Sequence, residues 1–267
     1  MPELPEVAAM LSRIGPEIRG RRFIALKAVT REAGSLLHGD TTILRTSAAL
    51  VTVERHGKIS LFHFDTGAVI AIRLGMSGRL AMREPRFPHD HIALYLSGQT
   101  ITYADHRRFG GVYVWPVADY RNRPPMGGVG PDALDEDLGE AVLPRGRRSV
   151  KEALLDQRVI AGLGNIYACE TLYRAGIDPR RPCSGITRQE RRRLIEAMQE
   201  TLTEAVADGG ATLEDYRGTE GESGSFESKF AVYGREGSKC PGCICEGSVV
   251  RIPAKGRSTW LCPTRQS

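Results

Sequence analysis

The hydrophobic pattern of the chain changes twice, from helical to alternating and back to helical. From Val7 to Ile14 apolar residues recur at helical spacing, and Gly15-Pro16 is expected to end that helix. Between residues 23 and 115, short β-branched runs are separated by turn residues, which predicts a sandwich or a flattened barrel. The predicted strands cover 24–29, 49–54, 59–64, 68–74, 92–96, 100–104 and 111–115.

The second half of the chain is predicted to be helical. Residues 121–144 are rich in Pro, Gly and acidic residues without periodicity, which is typical of a linker between two domains. Helices are predicted at 150–158, 166–175 and 188–207, and Gly209-Gly210 ends the last of them. Residues 218–225 are small and polar, which predicts a mobile loop of the kind that closes over ligands.

The first two of these helices flank the stretch Ile-Ala-Gly-Leu-Gly-Asn at 160–165. A helix-turn-helix-like unit of this kind presents the N-terminal amides of its second helix, with Asn165, to an anion. An ordinary helical hairpin is the alternative. Phosphate binding is favoured by a basic run just before the unit, formed by Arg145, Arg147, Arg148 and Lys151.

Length and composition narrow the class of protein. With 267 residues the chain can form two domains, and a net charge of +5 permits a polyanionic partner without demonstrating one. No run of eighteen apolar residues is present, and the start is acidic where a signal peptide would be basic. We therefore expect a cytoplasmic protein without a membrane segment.

The start of the chain, Met1-Pro2-Glu3-Leu4-Pro5-Glu6-Val7, carries candidate chemistry. Removal of Met1 would leave a secondary amine, and an α-amino group with a reference pKa of about 8 is partly unprotonated at neutral pH. Glu3 and Glu6 fall on one helical face and could assist proton transfer. The alternative is an ordinary helix start, in which Pro and acidic residues are favoured by position alone.

Three interruptions of the β region are also candidates for a site. Lys58 follows a His-Gly turn, Met76 lies in a glycine-flanked loop, and residues 105–111 present two arginines beside a Phe. Arginines bind phosphates, and apolar loop side chains can fill the gap left by an extruded nucleotide. The commoner interpretation of such residues is an exposed turn lysine and a buried Met or Phe.

The cysteines near the end of the chain suggest a metal site. Of six cysteines, four cluster at Cys240, Cys243, Cys245 and Cys262, and in a reducing compartment such a cluster indicates metal ligation. A second pair of cysteines separated by two residues is incomplete, because Arg265 stands where another Cys would follow Cys262. Two hypotheses follow: an irregular four-sulfur zinc site that includes Cys245, or a zincless finger held by packing of Val249, Ile252 and Trp260.

Eight motifs together resemble the formamidopyrimidine-DNA glycosylase family, whose bacterial members remove oxidised purines and nick the strand. They are MPELPEV (1–7), HGK (56–58), LGMSGR (74–79), HDH (89–91), RRFG (107–110), GLGNIYA (162–168), VYGR (232–235) and GRST (256–259). Leu4, where the related endonuclease VIII branch usually has Gly, favours the formamidopyrimidine branch.

The resemblance implies an α+β multidomain fold. It would comprise an N-terminal β-sandwich with a terminal helix (1–118), a linker (119–144), a helix-two-turn-helix domain with a lesion loop (145–225) and a zinc-finger-like β-hairpin (226–267). The implied partner is double-stranded damaged DNA, bound by a monomer, and the implied cofactor is a structural zinc.

The resemblance also implies a role for individual residues. Pro2 would be the nucleophile, Glu3 the acid acting at the sugar, Glu6 its support, and Lys58 a phosphate contact and proton donor. The side chains that fill the space of the flipped nucleotide would be Met76, Arg107 and Phe109. The backbone contacts would be His89, Arg108, Asn165 and Arg257, the last on the terminal hairpin.

Several positions depart from the family pattern, namely Ala8, Arg73, His106, which replaces Pro, and Ser225. They leave the lesion preference open. One alternative is a glycosylase of the same fold that acts on alkylated or bulky purines. The other is a protein that binds damaged DNA without cutting it, although binding alone has no need of Pro2, Glu3, Glu6 and Lys58 together.

Overall fold

The computed structural model describes residues 2–211, 224–243, 248–254 and 256–267. The chain forms two compact units: Met1–Gly128 with Gly209–Gly224, and Val129–Asp208 with Ser225–Ser267. These limits differ from the expected ones at three places. The expected linker 119–144 is divided between the units after Gly128, residues 209–224 belong to the first unit, and the terminal hairpin belongs to the same unit as the helices.

The first helix, α1, spans Leu4–Ile18 and therefore continues through Gly15 and Pro16, where the sequence pattern predicted its end. Proline removes one backbone donor, which near the end of a helix costs a single hydrogen bond. Ile14 and Ile18 are completely buried, and their burial favours the additional turn.

In the described part of the first unit, nine strands form two sheets, and the predicted β-sandwich is confirmed. Their bounds are β1 Phe23–Ala28, β2 Leu37–Gly39, β3 Leu50–His56, β4 Ile59–Phe64, β5 Ala68–Arg73, β6 Arg79–Ala81, β7 Asp90–Leu96, β8 Gln99–Ala104 and β9 Gly111–Pro116. One sheet has the order β1-β7-β8-β6 and the other β2-β9-β5-β4-β3. The neighbours are antiparallel except β2 and β9, which run parallel.

All seven predicted strands are present, whereas β2 and β6 were missed. Each of these two strands has three residues, which is too short for an alternating pattern to be detected. The core of this unit joins α1 to both sheets, with Ile14, Phe62 and Tyr103 among its fully or almost fully buried side chains.

Within its described residues, the second unit contains three α-helices and a terminal hairpin. The helices are α2 Val150–Leu155, α3 Asn165–Ala175 and α4 Arg188–Ala207, and the hairpin strands are β10 Val250–Ala254 and β11 Arg257–Leu261. Helix α2 ends earlier than predicted because Asp156 is its extended C-cap. Among the residues that the structure describes, no helix is long and apolar enough to cross a membrane.

Candidate active site and nucleic-acid interface

The start of the chain is buried and held in place by Glu6. Glu3 is the N-cap of α1, and its backbone amide donates a hydrogen bond of 2.7 Å to Oε2 of Glu6. Pro2 is buried, and Glu3 and Glu6 are each only 2% exposed. A reciprocal capping box of this kind fixes the direction in which the chain enters the helix, and here it fixes the peptide that follows Pro2.

The same Glu6 carboxylate also binds a distant part of the chain. Its Oε1 accepts a hydrogen bond of 2.8 Å from the amide of Ala211. Gly210 has a φ of +81°, and a Cβ at this position would lie 2.6 Å from Oε1 of Glu6. A Cβ on Gly224 would lie 2.1 Å from the carbonyl oxygen of Gly210. The close approach to Glu6 therefore requires glycine, whereas residues 212–223, including most of the predicted lesion loop, lie outside the described residues.

Lys58 lies in the tight turn of the β3–β4 hairpin. His56 pairs with Ile59 across this turn, and Gly57 supplies the left-handed conformation with a φ of 57°. The hairpin packs against α1, which begins at the Pro2–Glu3 segment. Lys58 is partly buried. The turn and the chain start belong to the same unit.

Asp105 is the centre of two loops that carry the candidate DNA contacts. It is fully buried and accepts hydrogen bonds from Ser77 Oγ at 2.6 Å, Tyr103 Oη at 3.1 Å and the Gly110 amide at 2.9 Å. Burial raises the pKa of Tyr103 far above its ordinary value, so its hydroxyl stays protonated and donates. The loop at 75–79 and the loop at 105–110 are therefore fixed to one carboxyl group.

Met76 and Phe109 protrude from these two loops. They are 36% and 51% exposed, so the commoner interpretation of both as core residues is wrong. The reason is the close backbone packing beneath them: a Cβ on Gly75 would lie 2.6 Å from the amide nitrogen of Gly110. The guanidinium of Arg107 lies over the Phe109 ring, 5.1 Å from its centroid. The two loops thus expose the apolar side chains of Met76 and Phe109, with the Arg107 guanidinium over the Phe109 ring.

Arg108 and His89 are exposed next to this group. Arg108 has a φ of 57°, an uncommon conformation for a residue with a side chain, and its amide donates to the carbonyl of Asp105 at 3.3 Å. The amide of Arg107 donates to Ser77 Oγ at 3.1 Å. The loop backbone is consequently ordered by internal hydrogen bonds while its cationic side chains are exposed.

In the second unit, Lys151 joins helix α3 to the hairpin. Lys151 is 2% exposed, and its Nζ donates to Asn165 Oδ1 at 2.7 Å and to Thr259 Oγ1 at 2.6 Å. The side-chain Nδ2 of Asn165 donates in turn to the carbonyl of Ser258 at 3.0 Å. Arg257 precedes this carbonyl and is exposed at the start of β11. Lys151 therefore positions this part of the hairpin.

The basic run at 145–151 is thus not a uniform phosphate-binding surface. Arg148 forms an ion pair of 3.1 Å with Asp156 and donates to the carbonyl of Glu152. Lys151 is buried, and Arg145 and Arg147 are exposed. The sequence could not separate these positions, because charge alone does not show which side chain has an internal partner.

Glu170 is a further internal support. It is 1% exposed and accepts hydrogen bonds from the amides of Ala231, Val232 and Tyr233 at 2.8, 3.0 and 2.8 Å. Burial raises the pKa of this carboxyl, and the three amide donors oppose that shift. The segment that leads into the cysteine cluster is therefore fixed to α3.

Cys240, Cys243 and Cys262 come together, and their sulfur atoms all lie within 4.8 Å of one another. Cys243 Sγ is 3.3 Å from Cys240 Sγ and 3.6 Å from Cys262 Sγ. Three thiols at this spacing could occupy three positions of a tetrahedral zinc site. Cys245, the fourth ligand suggested by the sequence, lies outside the described residues.

Arg265 contacts the same region from the C-terminal side. It donates to the carbonyl of Gly242 at 2.7 Å and to the carbonyl of Tyr173 at 3.1 Å, and it lies over the Tyr173 ring. The Tyr173 hydroxyl is 2.9 Å from Cys240 Sγ. Burial disfavours the Cys240 thiolate, but hydrogen bonds with Tyr173 and Cys243 lower the pKa of Cys240 to about 7.

Three supporting residues were missed in the sequence. Asp105 was noted only as part of a loop, although an acid just before two arginines was a usable signal. Glu170 lies on a helix whose other buried residues are largely apolar, and such an isolated acid was a second signal. Lys151 was assigned to a basic run that favours phosphate binding, and no local signal separated it from its neighbours.

Comparison with known proteins agrees with this geometry. Residues 1–112 match the formamidopyrimidine-DNA glycosylase N-terminal domain, and residues 129–217 match the formamidopyrimidine-DNA glycosylase H2TH domain. The formamidopyrimidine-DNA glycosylase of Paracoccus denitrificans is 39% identical over 282 residues, with 100% of both chains covered. That of Thermus thermophilus is 40% identical over 272 residues, with 100% of this chain and 98% of the relative covered.

Solved structures give the same result. The crystal structure of the MutM (FPG) protein of Thermus thermophilus matches with a TM-score of 0.88 and 39% identity, covering 99% of this chain and 98% of the other. A complex of a Lactococcus lactis FPG mutant with a Fapy-dG-containing DNA matches with a TM-score of 0.88 and 27% identity, covering 99% of each chain. Fold and site thus define a two-unit protein of the DNA glycosylase class. The chain belongs to the formamidopyrimidine-DNA glycosylase family.

Proposed function

We propose that this chain is a base-excision-repair DNA glycosylase and AP lyase that removes oxidised purines from double-stranded DNA through the amine of Pro2. The substrates are 8-oxoguanine and formamidopyrimidines. The observation that supports this most strongly is the chain start, where Glu6 holds the Glu3 amide directly beside Pro2. A helix that only needed an N-terminus would not require a buried pair of carboxyl groups there.

The chemistry follows from the secondary amine. After removal of Met1, the Pro2 nitrogen attacks C1′ of the damaged nucleotide, the N-glycosidic bond breaks, and the base leaves with a proton. The C1′–O4′ bond then breaks as Glu3 protonates O4′, which leaves an iminium at C1′ and acidifies the C2′ proton. Removal of the C2′ proton expels the 3′ phosphate by breaking the C3′–O bond, and a second elimination, which removes the C4′ proton, expels the 5′ phosphate by breaking the C5′–O bond. Glu3 is the acid acting at the sugar, Glu6 positions it, and Lys58 contacts phosphate and donates a proton.

The exposed loop residues of the first unit have the properties needed to fill the gap that an extruded nucleotide leaves in the duplex. Met76 and Phe109 are apolar and exposed, and Arg107 is paired with the Phe109 ring. Such side chains can occupy the space in the duplex after a base has been flipped out. Backbone phosphates are bound by His89, Arg108, Asn165 and Arg257, through charge and through the N-terminus of α3.

The cellular location of the enzyme and the number of chains that act together are also proposed. The substrate is chromosomal DNA, so the enzyme would act in the bacterial cytoplasm, and one chain contains every residue assigned above, so it would act as a monomer.

Borohydride trapping tests the role of Pro2. The purified protein is expected to form a covalent complex with duplex DNA that contains 8-oxoguanine or an abasic site, because reduction of an iminium is irreversible. Mass spectrometry should map the adduct to Pro2 as the first residue. Pro2→Gly should bind a tetrahydrofuran-containing duplex within about threefold of wild type and lose trapping on 8-oxoguanine. An adduct on a lysine, with Pro2 unmodified, would sink the assignment.

Substrate choice requires a separate measurement. Release of 8-oxoguanine, formamidopyrimidines, oxidised pyrimidines and alkylpurines can be compared at one protein concentration. We expect the protein to release the two oxidised purine classes, 8-oxoguanine and the formamidopyrimidines, fastest. Faster release of an alkylated or bulky purine would assign the chain to a different lesion, with Pro2 chemistry unchanged.

We also propose that the cysteine cluster holds one structural zinc, with Cys245 as the fourth ligand beside Cys240, Cys243 and Cys262. Support comes from the three sulfur atoms within 4.8 Å and from the low pKa of Cys240, since zinc binds thiolates. Such a metal would supply structural stability rather than chemistry. The competing hypothesis is a finger held by packing, for which buried Val249 and partly buried Trp260 give support.

Metal analysis of the purified protein separates the two hypotheses. One zinc per chain, lost in Cys245→Ser and retained in Cys183→Ser, agrees with the four-sulfur site. Cys183 is the matched control because it is a buried cysteine outside the cluster. A folded and active protein that contains no zinc contradicts the metal proposal and leaves packing as the explanation.

A further inference from the structure

Two exposed imidazoles lie side by side at the edge of the loop pair. His89 precedes β7 and His106 follows β8, and the centroids of their rings are 6.0 Å apart with an interplanar angle of 58°. Both side chains are exposed. His106 occupies the position at which the family pattern has proline, so this pair is a property of this chain rather than of the motif.

The backbone beneath both rings is fixed. The amide of Asp105 donates to the carbonyl of His89 at 3.1 Å, which joins the two positions directly. Asp90, which follows His89, is 1% exposed and accepts two bonds from Arg83 at 2.6 and 2.9 Å. Asp105, which precedes His106, is fully buried. Each exposed histidine is thus next in the chain to a buried aspartate, and these contacts fix the backbone from which its side chain extends.

A third imidazole nearby has internal partners. His91 is buried, its Nδ1 is 2.6 Å from Thr30 Oγ1, and its Nε2 is 3.1 Å from the carbonyl oxygen of Asp105. Both of its nitrogens are therefore engaged. Across the described ranges, the only group of three residues arranged for a metal ion is the cysteine cluster, so the histidines are not arranged as a chelate.

The electrostatic surroundings favour an anion at this pair. Asp90 is paired with Arg83. Asp105 accepts hydrogen bonds from Ser77, Tyr103 and the Gly110 amide. The titratable and charged groups on the loops themselves and on the elements packed around them are Lys27, Arg31, Glu32, Arg73, Arg79, Arg83, Glu84, Arg86, Asp90, His91, Tyr103, Asp105, Arg107 and Arg108. Seven of these fourteen are arginines and four are acids; of the two exposed acids, Glu32 is within electrostatic reach of Arg108 and Glu84 accepts a hydrogen bond from Thr100.

We propose that His106 and His89 together bind one backbone phosphate of the DNA duplex, and that His106 makes this contact depend on pH. The proposal rests on the proposed function in taking duplex DNA as the ligand and His89 as a phosphate contact, and it adds His106. With ring centroids 6.0 Å apart, a phosphate oxygen can lie within a hydrogen-bond length of about 2.8 Å from a nitrogen of each ring. An imidazole that gains a proton next to a phosphate adds a charge-assisted hydrogen bond, and histidine is the side chain that changes charge between pH 5 and 8.

Binding measured against pH tests the proposal. Fluorescence anisotropy with a tetrahydrofuran-containing duplex is performed at pH 8.0 and pH 6.0 for wild type, His106→Gln and His106→Lys. The ratio of Kd between His106→Gln and wild type should be about 1 at pH 8.0 and rise to roughly three- to tenfold at pH 6.0. The slope of log Kd against log salt should differ by about 1 between them at pH 6.0 alone. His106→Lys should bind tightly at both pH values.

His63→Gln is the matched control. His63 lies on β4 in the other sheet, where it pairs with Glu54 at 2.9 Å, and its replacement should leave the pH dependence of binding as in wild type. A Kd ratio for His106→Gln that is the same at both pH values overturns the proposal, as does a loss already complete at pH 8.0. Thermal unfolding of each variant identifies a folding defect, and His106→Lys then still decides the question. Failure of trapping at Pro2 in wild type would contradict the proposed function alone, because this binding assay requires no chemistry.

Discussion

Ser77 donates a hydrogen bond of 2.6 Å to Oδ1 of Asp105, and this contact joins the loop that carries Met76 to the loop that carries Arg107. The two residues are 28 positions apart in the chain. Because Oδ2 of Asp105 accepts from Tyr103 and from the Gly110 amide, one carboxyl group determines the relative position of both loops. The buried Asp105 carboxyl group therefore fixes the backbone of both loops, from which the exposed side chains extend.

Asp105→Ala should remove this support. The expected loss in the free energy of unfolding is about 3–5 kcal/mol, because three donors lose a buried acceptor. Ser77→Ala, which removes one donor, should cost about 1–2 kcal/mol. Urea unfolding measures both values. Binding of an abasic-site duplex should weaken far more in Asp105→Ala than in Ser77→Ala, and equal effects on binding would contradict the central role of Asp105.

Arg108→Ala and Phe109→Ala should separate phosphate binding from gap filling. Arg108→Ala is expected to weaken binding to damaged and undamaged duplexes alike and to reduce the salt slope by about 1. Phe109→Ala should mainly slow the processing of 8-oxoguanine. Both side chains are exposed, so unfolding temperatures should change little. Equal and salt-independent losses in the two variants would show that both residues are structural.

Lys151→Met should destabilise the second unit although it replaces a charge with an apolar side chain of similar length. Asn165 Oδ1 and Thr259 Oγ1 would lose a buried donor, at an expected cost of about 2–4 kcal/mol. The matched control is Arg147→Met, an exposed position of the same basic run, with an expected change within about 0.5 kcal/mol. Chemical denaturation measures the difference, and equal changes in the two variants would refute the role of Lys151.

Glu190 should make a pH-dependent contribution to stability. Hydrogen bonds from Arg181 at 2.6 and 3.1 Å lower the pKa of Glu190 to about 2. A carboxyl whose pKa is lower in the folded state stabilises the protein above its ordinary pKa, and this contribution is lost as the pH falls toward the folded value. Glu190→Gln should therefore cost roughly 1–3 kcal/mol at pH 7, with a smaller difference at about pH 3.5.

Unfolding curves at several pH values test the sign of this effect. Glu196→Gln serves as a control, because Glu196 and its partner Arg192 are both largely exposed and an exposed pair contributes little. A difference between wild type and Glu190→Gln that grows as the pH falls would contradict the assignment.

The sequence predicted the parts of this protein that depend on periodicity or on contiguous motifs. The bounds of α4 were correct to the residue, and all seven longer strands of the sandwich were found. Contacts between residues far apart in the chain were not predictable. Nothing near Lys151 indicates Thr259, and apolarity alone does not show that Met76 is exposed while Tyr103 is buried. The residues proposed to bind and react were found by motif, as was Glu6, whereas the supporting roles of Asp105, Lys151 and Glu170 were found only in the fold.

The bond between Glu6 and Ala211 has a consequence for synthesis of the protein on the ribosome. The carboxylate that holds the Pro2–Glu3 segment has a partner 205 residues later, so this segment reaches its final geometry only after about four-fifths of the chain has been made. A nascent chain can fold its sheets before that point, but the Glu6 carboxylate then still lacks the amide of Ala211. The segment proposed to carry the reactive amine is thus made early in translation and is among the last to be completed.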